Sequence, residues 1–324
     1  MRRASAPDGM PLMNVGTWNV ENLFRNGTDA GPRDEGTYNA KIASLAETVG
    51  GLDLDVLALQ EVGQPEALAD LVDAVGGSWH TALSGFPDDR GIRVAFMSKP
   101  AIDHVADLRE FPSELDPVQV ADDATTAVMG RGALQVRVTS SGTRVDLVTC
   151  HLKSKLLSYP GGRFTPRDEG ERARFGAYAL YRRTAEAASV RVFANALLEG
   201  HGDERAVVVL GDLNDEPLAA TTQILQGPGG SEIGTGGFDQ PDQGDPWRLW
   251  NLASLIPEEH RHSRRFQGRD ELIDHILVSH ALIRRVEDVD TGPGEPPSID
   301  EQPGNRRDAP GSDHLPVVAR FDLA

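Results

Sequence analysis

The chain has 324 residues, 50 of them acidic against 32 basic, with a formal net charge of −18 and one cysteine, Cys150. This length suits one α/β domain, the charge excludes a protein that grips nucleic acid or anionic membrane mainly through a basic face, and a lone thiol excludes an internal disulfide. A phosphate-bearing substrate would need local help, such as carboxylates that hold a divalent cation.

Residues 1–12 read as a flexible N-terminus before a single domain over 13–324. Their sequence, MRRASAPDGMPL, lacks the apolar stretch of a secretory signal, and no run approaches the roughly 18 apolar residues of a membrane span, so the expected location is cytoplasmic. Short β-branched runs then alternate with stretches of helical period: strands at 13–20, 55–62 and 94–98, helices at 37–49 and 65–75. The runs 133–138 and 144–152 flank the turn-rich TSSGT, which predicts an antiparallel hairpin. The longest predicted helix spans 171–199, followed by a buried strand at 206–213, a helix from about 217 and a last strand in GSDHLPVVARF, 311–321. Two Gly/Pro/Asp-rich stretches, 226–246 and 291–311, read as loop insertions into this pattern. Strands mixed with helices, hairpins included, predict an α/β sandwich with two sheets inside and helices outside.

The ends of several predicted strands carry acids, amides or a histidine. TWNVEN offers Asn19, LALQEV Glu61, VTCHLKS His151, VLGDLND Asp212 and Asn214, and GSDHLPV opens on Asp313 and His314. Each alone has a plain account as a turn, a cap or a solvated end. Together they supply the hard oxygen donors that suit Mg²⁺, and two histidines without thiolates do not make a zinc cage.

WNVEN, LQEV, HLKSK, GDLND, IDHILVS and SDHLPV, in this order from about residue 14 to 323, resemble the endonuclease/exonuclease/phosphatase superfamily, which includes deoxyribonuclease I, exonuclease III, inositol-polyphosphate phosphatases and neutral sphingomyelinases. The resemblance implies a four-layer α/β sandwich, with two mixed, largely antiparallel inner sheets flanked by helices, and hydrolysis of a phosphoester with Mg²⁺, Mn²⁺ being a possible substitute. It makes Glu61 the principal metal ligand beside Asn19 and Asp313, and His314 an acid–base group held by Asp274 of IDHILVS. His151 would donate to a phosphate oxygen, Asp212 and Asn214 would position the attacking water, and Arg131 of GRGALQV would contact the substrate phosphate. Either Asp212 or His314 could activate the water.

The pattern also departs from its relatives. Deoxyribonuclease I has a glutamate supporting the histidine that matches His151; here the stretch RGIRVAFMS offers Ile92 and Arg93. A minor-groove arginine of that enzyme is replaced by Gly63, and the Trp-rich motif of the inositol phosphatases by ELIDHILVS. The expected activity is metal-assisted attack of water on a phosphoester by a phosphodiesterase or nuclease, with nucleic acid among the expected substrates, a phosphatase or phospholipase acting on a small metabolite or lipid headgroup as the alternative and a catalytically silent binding module as the rival of another class. No obligate protein partner is evident. The insertions and the arginine-rich segment 163–183 are expected to set the substrate, though those arginines equally suit the solvated face of the long helix, the favoured reading, and HRHSRR, 260–265, is a second basic cluster that equally suits an exposed loop.

Overall fold

A computed structural model describes residues 12–235, 238, 240–300 and 302–324; the flexible tail expected over residues 1–12 lies, but for Leu12, outside them. Two six-stranded sheets form its centre. In one the order is Val286–Thr291, Val317–Asp322, Leu12–Leu23, Val56–Val62, Arg93–Ser98 and His80–Leu83; in the other it is Leu249–Asn251, Asp274–Ser279, Ala206–Asp212, Thr143–His151, Val128–Ser140 and Ile102–Glu110. Each sheet has a single parallel pair at its middle, Leu12–Leu23 beside Val56–Val62 and Thr143–His151 beside Ala206–Asp212, and every other pairing within the two is antiparallel.

Parallel neighbours need a long crossover, and a helix supplies it in both sheets. Glu35–Gly51 links the first pair, and the 30-residue Glu169–Leu198 links the second. The first helix buries Tyr38, Ile42, Leu45 and Val49, one stripe at alternating three- and four-residue steps, and starts where Asp34 accepts a hydrogen bond from the Thr37 amide at 2.8 Å. Period-two alternation divides each strand between two cores. Val56 and Ala58 face Val208 and Leu210 between the sheets, while Leu57 and Leu59 face the helices on the outside. Val207 and Val209 do the same on the second sheet. The result is the four-layer sandwich that the sequence implies.

The predicted hairpin is antiparallel, with Val136 opposite Leu147. The helix expected from about 217 begins instead at Ala220, after Pro217 and a turn. The strands that the sequence pattern does not reveal lie at edges or are short: Ile102–Glu110 alternates weakly because both of its faces are largely exposed. The stretch 226–246 is held by the buried Arg248, whose guanidinium donates to the carbonyls of Pro228 and Ser231. Within 291–311, Ser298–Ile299 pairs with Arg265 and Phe266 to extend a small sheet. Among the described residues, no helix is long and apolar enough to cross a membrane.

Candidate active site

Both parallel pairs point their C-terminal ends at one cleft of about 560 Å³. Asn19 and Glu61 end one pair, His151 and Asp212 the other, so four side chains from two sheets meet on its floor. This is the place where a mixed sheet leaves strand ends, and their polar groups, open to a ligand.

The backbone at this floor is unusual. Eight described non-glycine residues have left-handed φ values, and four of them line the cleft: Glu21 at 49°, Asn22 at 54°, Glu61 at 64° and Asn214 at 53°. Such conformations cost free energy and persist where the surroundings enforce them, which they do at sites that must aim a side chain. Gly211, beside Asp212, has φ 146°, and a Cβ there would stand 2.0 Å from the carbonyl oxygen of Cys150. The GD of VLGDLND therefore needs glycine so that the two parallel strands can close on each other.

Hydrogen bonds fix the acids. The Asn19 amide nitrogen donates to Asp212 Oδ2 at 3.0 Å and to Glu61 Oε1 at 3.3 Å, while its oxygen accepts from the Glu21 amide. Glu61 Oε2 accepts from the Asn22 amide at 2.9 Å, Asp212 Oδ1 from the Asn214 amide at 2.9 Å, and the Asn214 side chain donates to the Leu152 carbonyl. Burial, with the charge of Asp274 beside it, pushes the Asp212 carboxyl up to about 6.

The two histidines differ in charge. Burial holds His151 well below the ordinary imidazole range, helped by Arg131, so the ring is neutral. Its Nε2 lies 3.3 Å from Asp212 Oδ2 and 4.0 Å from Glu61 Oε1, which assigns the Nε2–H tautomer; Nδ1 is buried without a hydrogen-bond partner. The glutamate missing from RGIRVAFMS is thus missing in space as well: Ile92 is buried and Arg93 donates to the carbonyls of Gly63 and Gly91. For His314, burial is the largest single influence and lowers its pKa, but Asp274, Asp313 and Asp212 together raise it to about 10. Its Nδ1 donates to Asp274 Oδ2 at 2.7 Å, and Asp274 Oδ1 is buried without a partner.

The SDH turn is tied down by its backbone. Trp18 Nε1 donates to the His314 carbonyl at 2.8 Å, Ser312 Oγ donates to the Asn19 carbonyl at 2.6 Å, and the Leu315 amide donates to Ser263. Ser263 Oγ also accepts from the amide of Asp274, so SDH and IDH share one anchor. Asp313 lines the cleft, where its charge and burial lift Glu21 to about 7, burial being the larger cause.

Arg131 also lines the cleft, with its Nε 3.1 Å from Asp88 Oδ2. All nine residues singled out in the sequence therefore come together, eight in the lining and Asp274 directly beneath His314. Residues that the sequence reading passed over join them: Glu21, which Arg306 grips through two 2.8 Å hydrogen bonds, and the rim cation Arg90, beside Lys155 of HLKSK and Arg264 of the 260–265 run. Glu21 shared the WNVEN motif and the strand parity of Asn19, a signal that was there to read; Arg306 stands in a loop that carries none. Of the arginine-rich segment, Arg163, Arg172, Arg174, Arg182 and Arg183 pair with Glu171, Glu169, Asp122, Glu186 and Asp215, and only Arg172 of the six reaches the cleft lining. In 260–265, Arg264 faces the cleft from an ion pair with Glu271, and Arg265 pairs outward with Asp270 and Glu295. The insertion 291–311 adds Ser298, Ile299 and Arg306 to the wall, whereas no described residue of 226–246 lines it.

The donors suit a hard divalent cation. Glu61, Asp212 and Asp313 offer oxygen without sulfur, the Asn19 oxygen would join them on turning from the Glu21 amide, and the partnerless Asp274 Oδ1 marks unsatisfied negative charge beside them. A second set, Asp212, Asp274 and His314, has ligand atoms all within 4.8 Å of one another. His314 Nδ1 is already engaged by Asp274 at 2.7 Å, an arrangement that suits a proton-carrying triad.

The sequence profile of the Endonuclease/Exonuclease/phosphatase family matches residues 16–314. Solved structures with this fold include an endonuclease/exonuclease/phosphatase family protein from Bacteroides thetaiotaomicron (TM-score 0.56, 16% identity, 98% of this chain and 100% of that one), the beta toxin of Staphylococcus aureus (0.58, 13%, 95% and 99%) and truncated TDP2 of Caenorhabditis elegans (0.54, 15%, 96% and 98%). No curated protein sequence matches the chain.

Proposed function

This chain belongs to the Endonuclease/Exonuclease/phosphatase family and is a metal-dependent phosphoric ester hydrolase, and on that premise we propose that it is a Mg²⁺-dependent phosphodiesterase or nuclease. One observation carries the reading: the hydrogen-bonded set Asn19, Glu61, His151 and Asp212, with the Asp274–His314 pair beside it, forms the floor of a cleft far larger than one phosphate.

Glu61, Asn19 and Asp313 would hold the cation. When bound it would supply Lewis-acid stabilisation of the charge that builds on the phosphoryl oxygens. Arg131 and the neutral His151, whose Nε2–H faces the acid cluster, would take the remaining phosphate oxygens as donors. His314, protonated and oriented by Asp274, fits the role of the acid that gives a proton to the leaving oxygen. Asp212, buried and with its carboxyl pushed up to about 6, then fits the base that orients and deprotonates water, with Asn214 holding its Oδ1.

The walls support a diester with a sizeable group on each side. Leu156, Leu157 and Phe164 face the cleft from the loop after His151, and Phe266 and Ile299 face it from the small sheet, with Arg264 and Lys155 between. These apolar side chains also favour the second reading, a lipid phosphodiester, over a small sugar phosphate. Initial rates with Mg²⁺ and with Mn²⁺ on bis(p-nitrophenyl) phosphate, p-nitrophenyl phosphate, plasmid DNA, single-stranded DNA, RNA and phosphatidylcholine vesicles test this. The diester is expected to be cleaved at least about tenfold faster than the monoester, a difference of about 1.4 kcal/mol in barrier. A monoester preference would remove the diesterase reading, and a preference for vesicles over every nucleic acid would select the second.

A further inference from the structure

The helix Glu169–Leu198 packs on the second sheet through Ala185, Ala187, Val190, Ala194 and Leu198, and it also buries charge at Glu171, Arg183, Glu186 and Arg191. A buried carboxylate is costly unless every lone pair has a donor. Glu186 has three: Oε1 accepts from the Gly130 amide at 2.9 Å and from Arg182 Nε at 3.1 Å, and Oε2 accepts from the Lys153 amide at 2.6 Å. Gly130 precedes Arg131, and Lys153 follows His151 by two residues, so one carboxylate bridges the backbones that carry both donors to the phosphate. Arg183 completes the strap by donating to the Lys153 carbonyl at 2.9 Å and pairing with Asp215, which follows Asn214.

We propose that Glu186 is a positioning residue for His151 and Arg131, setting through the Gly130 and Lys153 amides the place from which both meet the substrate phosphate. This rests on the role assigned to His151 and Arg131 above. Two features make the bridge matter here. His151 Nδ1 has no partner, so beyond the contact of Nε2 with Asp212 the ring depends on its backbone for position. The close approach is built in as well, because a Cβ on Gly130 would stand 2.4 Å from the Arg182 guanidinium.

Glu186→Gln keeps the shape but replaces one acceptor with an NH₂ group that must face a backbone N–H. A small displacement of a positioned donor can cost up to about 10² in rate, so the variant is expected to lose about tenfold in kcat on bis(p-nitrophenyl) phosphate with KM changed less than about twofold. The decisive readout is the cycle with His151→Ala. If Glu186 acts through both donors, Glu186→Gln costs less in the His151→Ala background than in the unaltered protein, and less than about twofold once Arg131→Ala is added; an equal loss in all three backgrounds, or full kcat in the single variant, overturns the proposal. Full activity of His151→Ala by itself is a different result, and it removes the functional reading on which the proposal stands. Should Glu186→Gln not fold, hydrogen exchange in the unaltered protein decides: the Gly130 and Lys153 amides are expected to exchange as slowly as those of the strand Ala206–Asp212, and exchange about a hundredfold faster overturns the bridge.

Discussion

Alanine at His314 is expected to lower turnover of a phosphodiester by about 10² or more, the usual contribution of a positioned proton donor. The backbone of the turn should survive, because Trp18, Ser312 and Ser263 hold it without the imidazole. In the sequence, His314 stands at the opening of the last strand stretch. The structure buries it, 5% exposed, against an Asp274 with one oxygen already lacking a partner. Removing the ring strands that carboxylate altogether, at a cost of about 1–3 kcal/mol, so a lowered melting temperature should accompany the lost activity. Asp274→Asn keeps an acceptor for Nδ1 and loses the charge, so it should be milder on both counts. Because the two groups act as a unit, the double variant should be less than additive. Steady-state kinetics and thermal melting of the three variants check this; near-normal turnover by His314→Ala would reduce the pair to a structural contact.

Glu61→Gln is expected to cost at least about a hundredfold in turnover, about 2.7 kcal/mol of barrier, together with weakened affinity for Mn²⁺ in calorimetric titration. The isosteric amide fits the same left-handed backbone and leaves an oxygen for the Asn22 amide, so the fold should hold. What is lost is a negative charge facing Asn19 and Asp212, where the cation would be held. Unchanged Mn²⁺ affinity with unchanged turnover would take Glu61 out of the metal set.

The central strands were legible because they are buried on both faces: DVLALQEV and AVVVLGDL are continuous apolar runs, and the helices between them carry clear three- and four-residue stripes. Strands at the sheet edges were not, since Ile102–Glu110 and His80–Leu83 are half solvated and their pairing is decided by neighbours far along the chain. The floor of the site was legible for a related reason, that strand ends carrying acids, amides and histidine stand out against apolar runs. Its walls were not. Arg306 reaches Glu21 across 285 positions of sequence, and Phe266 enters the cleft on a three-residue strand. The arginine-rich segment 163–183 illustrates the opposite error of reading: its charges suggested a basic or solvated face, yet five of the six arginines pair with carboxylates within the protein, and Arg183 is buried.

The measurement that bears most directly on the account is the rate of bis(p-nitrophenyl) phosphate hydrolysis by protein stripped with EDTA and then titrated with Mg²⁺ or Mn²⁺. With Glu61, Asp212 and Asp313 gathered in the cleft and a net charge of −18, a substrate phosphate meets carboxylates that a bound cation would offset. The account predicts no rate above background in EDTA and a saturable return as either ion is added, absent in Glu61→Gln at the same concentrations. An undiminished rate in EDTA would contradict it.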